Sequence, residues 1–364
     1  MQSAQIIVLA MPVFLGLIAL EWWVGRRRGR DTYRSSDALS SISLGIMSQI
    51  VGLAGGLVLL GIYTLAHRHL ALFELSAGDW WVWPLGLLLY DLCYYWHHRL
   101  GHTCAFFWAA HVVHHQSEDY NLSTALRQTS TGFLGGWLFY LPMAVLGFPP
   151  LVYAVVALID LLYQYWVHTQ QIGRLGWFDR WFCAPSNHRV HHAVNDRYLD
   201  RNYGGILLVW DRLFGSHEPE HDEEPCIYGT RAPLQSWNPV KANLQVYAML
   251  WNDCRHAGAW GDKLRVWLKP PGWRPADVAA RFPKPDFDIA ALRRYDPPLP
   301  PALERLCLAL FGVLLGATAL LLWHAHLLSG GMAFLAGAAI VTGLCFIGWL
   351  SEGGHRVLRA KSPA

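Results

Sequence analysis

The chain has 364 residues, 53% of them hydrophobic and only 15% charged. Soluble domains carry roughly 25% charged residues, so the composition excludes an ordinary water-soluble fold. The balance of 29 Lys+Arg against 26 Asp+Glu, a formal net charge of +3, supplies no basic field of the kind a nucleic-acid partner requires.

A bilayer core about 30 Å thick needs roughly 20 apolar residues per helix, so uncharged stretches can be counted along the chain. The first, Ile6 to Val24, has no basic residue before it and is followed by Arg26, Arg27, Arg28 and Arg30. This predicts a retained membrane anchor rather than a cleaved signal peptide. Ala38 to Ala66 is free of charge, and Trp80 to Trp96 carries only Asp91. Gln128 to Ile159 is also uncharged but is broken by Pro142 and by Gly147-Phe148-Pro149-Pro150. It predicts a tight helical hairpin with arms over 132–147 and 151–167. The span 216–302 holds 13 of the 20 prolines and reads as a loop-rich segment outside the lipid. Within it Val240, Leu244, Tyr247, Trp251 and Cys254 recur at helical period, and Trp260, Leu264, Trp267 and Leu268 form a second apolar face. Such helices lie on the membrane surface or pack on the polar part of the chain. Leu306 to Ser351 is again uncharged and splits at Ser329-Gly330-Gly331 into two helices.

The predicted fold class is all-α: a multi-pass integral membrane protein with a cytoplasmic histidine-rich helical cap. The expected divisions are transmembrane helices over 1–79, a histidine-rich region over 80–230, the loop-rich segment over 231–302, and a transmembrane hairpin with a basic tail over 303–364. Basic residues beside short loops mark the cytoplasmic side. The arginines after the first helix, and Arg356, Arg359 and Lys361 in the tail, place the histidine clusters there. Seven scattered cysteines without a C-x-x-C pair read as reduced thiols.

Eighteen histidines are too many for a background frequency, and six fall between His97 and His115. His98 and His102 stand at i and i+4. His111, His114 and His115 repeat the pattern as i, i+3 and i+4, and so do His188, His191 and His192. This spacing brings imidazoles from one helix onto one face. His168 follows the second hairpin arm at the same predicted depth. His97 is off the face shared by His98 and His102, and His67, His69, His217, His221, His324 and His326 read as background. Four ligands saturate one tetrahedral zinc, whereas two six-coordinate ions leave open positions beside eight or nine imidazoles. Asp91 lies two helical turns before His98 and Asp160 eight residues before His168. Each is a candidate to orient a ligating imidazole, as is Asn187 at the start of the third cluster.

These residues resemble a known family. Asp91-Leu92-Cys93-Tyr94-Tyr95-Trp96-His97-His98-Arg99 with His102, the second cluster, and Asn187-His188-Arg189-Val190-His191-His192 followed by Asn202-Tyr203-Gly204-Gly205 look like the fatty acid hydroxylase/sterol desaturase superfamily. The likeness covers roughly residues 80–230. Glu118 to Gln128, the Trp210-Asp211-Arg212-Leu213-Phe214-Gly215 turn and the extra C-terminal hairpin look most like its alkylglycerol monooxygenase subgroup. The resemblance implies a membrane-embedded enzyme with two iron ions held by His98, His102, His111, His114, His115, His168, His188, His191 and His192. It implies molecular oxygen and a lipid as substrates, a glyceryl ether in the subgroup, with tetrahydrobiopterin as the external reductant. No G-x-G-x-x-G and no C-x-x-C occurs, so a separate electron donor is expected. Sterol or fatty-acyl desaturation or methyl oxidation is the second enzymatic reading. A metal-binding scaffold or a transporter is the non-enzymatic one, and a transporter would place its ligands along a path at mid-membrane.

Overall fold

The structure is a computed structural model that describes residues 3–354; the basic tail with Arg356, Arg359 and Lys361 lies outside the described residues. Among the described residues no strand forms, and two isolated bridges, Phe182 to Leu207 and Ala193 to Tyr228, join extended segments. In chain order the helices are α1 (Ser3–Arg27), α2 (Ser35–Leu70), α3 (Val82–Thr103), α4 (Ala105–His115), α5 (Leu122–Ala125), α6 (Leu141–Val145) and α7 (Pro150–Trp166). There follow α8 (Phe178–Trp181), α9 (Pro185–His192), α10 (Val209–Leu213), α11 (Pro239–His256), α12 (Trp260–Leu268), α13 (Ala276–Arg281), α14 (Pro301–His324) and α15 (Gly330–Ser351).

Three helices are long and apolar enough to cross a bilayer: Ala4–Arg27, Pro301–Leu327 and Gly330–Ser351. α2 adds a fourth when it is counted across a 51° bend between Leu53 and Val58. Four of their ends lie on the side of the histidine-bearing helices. Arg28 Nη1, past the end of α1, donates to the Gln171 carbonyl at 2.9 Å. Ser35 Oγ at the start of α2 donates to Glu304 Oε1 of α14 at 2.5 Å, and Glu352 after α15 accepts from Ser236 Oγ at 2.5 Å.

Three expectations change. α3 runs past the apolar stretch that ends at Trp96 and continues to Thr103, so His98 and His102 share one helix with Asp91. Its proline, Pro84, sits in the first turn, where the missing N–H breaks no ladder bond, and the buried Asp91 carboxylate is fully hydrogen-bonded. The first arm of the hairpin is not one helix: two 3-10 turns, Gly132–Leu134 and Gly136–Tyr140, precede the five-residue α6. Three glycines within five residues and Pro142 deny the segment a regular ladder. Its tip needs glycine, because Gly147 has φ +87° and an added Cβ would lie 1.9 Å from the Phe73 carbonyl oxygen. Finally, the two settings open to the apolar face of α11 narrow, because the helix buries Ala242, Asn243, Val246, Leu250 and Asp253 instead. Leu244 and Trp251 point outward with Trp260, Leu264 and Leu268 of α12.

Candidate metal centre

α3, α4 and α9 carry the three histidine clusters, and His168 lies just past α7. On α4, Ala105, Ala109, Val112 and Val113 are buried against Ala242, Val246 and Leu250 of α11 and Val266 of α12. Burying that stripe by the hydrophobic effect turns His111, His114 and His115 toward the interior. α9 opens with Pro185 at its first position, where the missing N–H costs nothing. Asn187 Oδ1 accepts the Ala184 N–H at 3.1 Å. Between the histidines, Arg189 grips both oxygens of Glu220 at 2.7 Å and donates to the carbonyls of Thr169 and Ile172. The bidentate pair fixes the rotation of this short helix.

The nine predicted imidazoles gather in two groups, each with its ring nitrogens within 4.8 Å of one another. One comprises His98, His102, His111, His115 and His191; the other comprises His114, His168, His188 and His192. Every i, i+4 pair stays together, while the i+3 histidine of α4 and that of α9 cross to the opposite group. The groups abut where His115 stacks on His192 at 4.3 Å between ring centroids.

Hydrogen bonds set the tautomers. A carbonyl only accepts, so Nδ1 carries the proton where His98 meets the Tyr203 oxygen (2.8 Å), His114 that of Arg127 (3.0 Å), His168 that of Gln164 (2.7 Å) and His191 that of Arg201 (2.9 Å). Their Nε2 atoms therefore present lone pairs. His114 Nε2 and His168 Nε2 face each other at 3.0 Å with no proton between them. The Nε2 atoms of His102 and His191 are buried without a hydrogen-bond partner. Burial pushes His111, His115, His168, His188, His191 and His192 well below the ordinary histidine range and His114 down to about 4. Converging neutral lone pairs repel unless a cation lies between them, so the donor set fits metal ions.

A fatty acid hydroxylase family profile matches residues 83–216, which contain all three clusters and His168. Alkylglycerol monooxygenase from Homo sapiens is 39% identical over 269 residues, 73% of this chain and 59% of that protein. The Danio rerio alkylglycerol monooxygenase is 36% identical over 352 residues, 94% of this chain and 77% of that protein. The chain belongs to the fatty acid hydroxylase family. The alkylglycerol monooxygenase from Xenopus tropicalis is 37% identical over 79% of this chain and 64% of its own length. No solved structure matches.

In this family member Asp200 Oδ1 stands 3.4 Å from His102 Nδ1, whereas Asp91 and Asp160 reach the imidazoles through neighbouring groups. Asp91 accepts the N–H groups of Ile206 and Leu207 and the Trp210 indole at 2.8–3.1 Å. It thus ties down the loop whose Tyr203 carbonyl holds His98. Asp160 accepts from Gln164 Nε2 at 2.6 Å, and the Gln164 carbonyl holds His168. Asn187 caps α9, and its carbonyl accepts from Asn202 Nδ2 at 3.0 Å. His97 joins neither group; its ring stacks on Phe139 and its Nδ1 meets the Tyr140 hydroxyl. The pentad His217-Glu218-Pro219-Glu220-His221 spells a zinc-peptidase pattern. It lies in non-helical chain, and its imidazoles meet Asn202 and Glu218 instead of converging.

Asp211 was absent from the sequence-derived site. It accepts Tyr203 N–H at 2.7 Å, Gly204 N–H at 2.8 Å and Ser216 Oγ at 2.7 Å. The visible signal was its place in the Trp210–Gly215 turn, but separation in sequence concealed the partners. Asp211→Asn turns one acceptor into a donor facing an N–H and is expected to cost about 1.5–3 kcal/mol. A lowered thermal midpoint together with weaker iron retention would register it; an unchanged midpoint would contradict this role.

Proposed function

We propose that this member of the fatty acid hydroxylase family is an oxygen-dependent lipid monooxygenase whose nine histidines hold two iron ions, five on one and four on the other. The carrying observation is the pair of converging lone-pair sets at the junction of α3, α4 and α9. Neighbouring Nε2 atoms stand 3.0–3.2 Å apart along the runs His98–His111–His115 and His114–His168–His188–His192. With metal–nitrogen bonds of roughly 2.1 Å, ligands at right angles lie about 3.0 Å apart and tetrahedral ligands about 3.4 Å. The spacing supports six-coordinate iron with open positions over saturated zinc.

Bound there, the iron pair supplies the redox capacity by which a lipid C–H bond, dioxygen, two electrons and two protons become a C–OH group and water. The protein holds nine imidazoles aimed inward, and surrounds them with buried apolar and aromatic side chains. The named relatives support a glyceryl ether as substrate, with the ether-linked carbon as its target. The two electrons come from an external donor, for which the subgroup supports tetrahydrobiopterin. Arg26, Arg27, Arg28 and Arg30 lie on the histidine side, which supports a cytoplasmic active site. The outward Trp251, Trp260 and Leu264 suit the headgroup zone on the same side.

The test is anaerobic purification followed by turnover under isotopic oxygen. About two irons per chain are expected from the two ligand groups, and one labelled oxygen atom should enter the lipid. Loss of two hydrogens without added oxygen would instead establish desaturation. Zinc in both positions and no oxygen uptake would overturn the proposal.

A further inference from the structure

A cavity of about 90 Å³ lies beside the five-histidine group, with His98 and His111 in its wall. Its composition is divided. Phe106, Phe107 and Leu134 make an apolar side, and Leu134 is half exposed, so this side reaches the outer surface. Thr129, Thr131 and Tyr247 line it as well, with their hydroxyls in a chain. Tyr247 OH donates to Thr131 Oγ1 at 3.2 Å, and the two threonine oxygens are 3.1 Å apart. No Lys, Arg, Asp or Glu is among the lining residues.

Tyr247 comes from α11, outside the residues 83–216 matched by the family profile. Its helix is latched to the threonine loop by a second contact, in which the buried Asn243 Oδ1 accepts the Ser130 N–H at 2.8 Å. The C-terminal segment therefore completes a wall that the family domain by itself leaves unfinished.

The geometry points to a lipid head-group site: the Thr129, Thr131 and Tyr247 hydroxyls bind an uncharged, hydroxyl-bearing head and hold the adjoining carbon at the five-histidine group. This rests on the proposed oxygenation at that group. Hydroxyl partners replace the water that a hydroxylated head loses on binding. A phosphate or ammonium head would be desolvated with no opposite charge to meet it, at a much larger cost. The hydrocarbon chain then leaves along Phe106, Phe107 and Leu134, following the usual division of a ligand site into apolar walls and a few directing polar groups. Tyr247 becomes a specificity-determining residue.

Equilibrium binding to the full-length, iron-loaded protein in detergent, under anaerobic conditions, tests this without turnover. The probes are radiolabelled 1-O-hexadecylglycerol, its 3-phosphate, and hexadecyl methyl ether, which has the chain and the ether but no hydroxyl. The glycerol ether is expected to bind about tenfold tighter than either comparison lipid. Tyr247→Phe and Thr131→Val should each weaken it about fivefold, with binding of the methyl ether and iron content unchanged. Equal binding of the three probes, tight binding of the phosphate, or an undiminished preference in both variants would overturn the site. A protein that shows the preference but leaves the bound ether unoxidised would instead count against the proposed function.

Discussion

Replacing His188 with alanine is expected to remove one ion and leave its neighbour in place. His188 belongs to the four-histidine group and approaches His168 and His192 at 3.1 and 3.2 Å. Its loss leaves three nitrogens there and all five in the other group. Iron should fall from about two to about one per chain, and oxygenation should drop below detection, because an ion needs its ligand set and the proposed chemistry needs both ions. His102→Ala, in the five-histidine group, should give the same stoichiometry from the other side, and the double variant should retain almost no iron. Elemental analysis with circular dichroism as a folding control reads all three. If each single variant empties both positions while staying folded, the division into two groups does not describe metal binding.

The second large effect is expected at Arg127. Its side chain is 1% exposed, with Nε donating to the Val113 carbonyl at 2.8 Å and Nη1 to Ser40 Oγ at 3.2 Å. The guanidinium has no direct carboxylate partner in this set; the attraction of Asp37 and Glu118 opposes the desolvation that lowers its affinity for the proton. Asp37 is itself buried and accepts from Ser117 Oγ at 2.5 Å and from Ser41 Oγ at 3.3 Å. Asp37 keeps its pairing with Arg34 at 3.4 Å, so Arg127→Ala would leave a cavity and the buried Val113 carbonyl and Ser40 hydroxyl without their donor, at a cost of about 2–4 kcal/mol. A fall in thermal midpoint on the order of 10 °C should follow. Because the Arg127 carbonyl orients His114, iron loss at the four-histidine group should precede global unfolding in the variant. A midpoint within a degree or two of wild type would show that the buried charge is not part of the framework.

Much of the site was legible because helix spacing is local. The i, i+4 pairs 98/102, 111/115 and 188/192 each remain within one histidine group, as a 100° step per residue dictates. The supporting residues were harder to read. Asp91 and Asp160 stood out as carboxylates in apolar runs, yet both act through a loop or a neighbouring amide instead of on a ring. Nothing in the sequence marks Ile206, Leu207 and Tyr203 as the backbone they organise. The first hairpin arm failed for a local reason: an uncharged run was read as a helix despite Gly132, Gly135, Gly136 and Pro142. The apolar face of α11 stays open in the sequence between the membrane surface and the protein, for a tertiary reason. Its Trp251 and Leu244 are apolar but point outward, which periodicity alone cannot distinguish from burial.

Sequence by itself determined the long apolar helices, the concentration of imidazoles at the ends of three helical segments, and the pairs that act together. These depend on hydropathy and helical pitch, properties of consecutive residues. Only the tertiary structure decided that His114 and His191 cross between the groups, that His168 joins the second group, and that α11 supplies Tyr247 to the cavity. Those assignments depend on how α4 and α9 approach across the core. That approach is set by Val112 and Val113 against α11, by Arg189 on Glu220 and by Asp211 on the Tyr203 loop, contacts between residues remote along the chain.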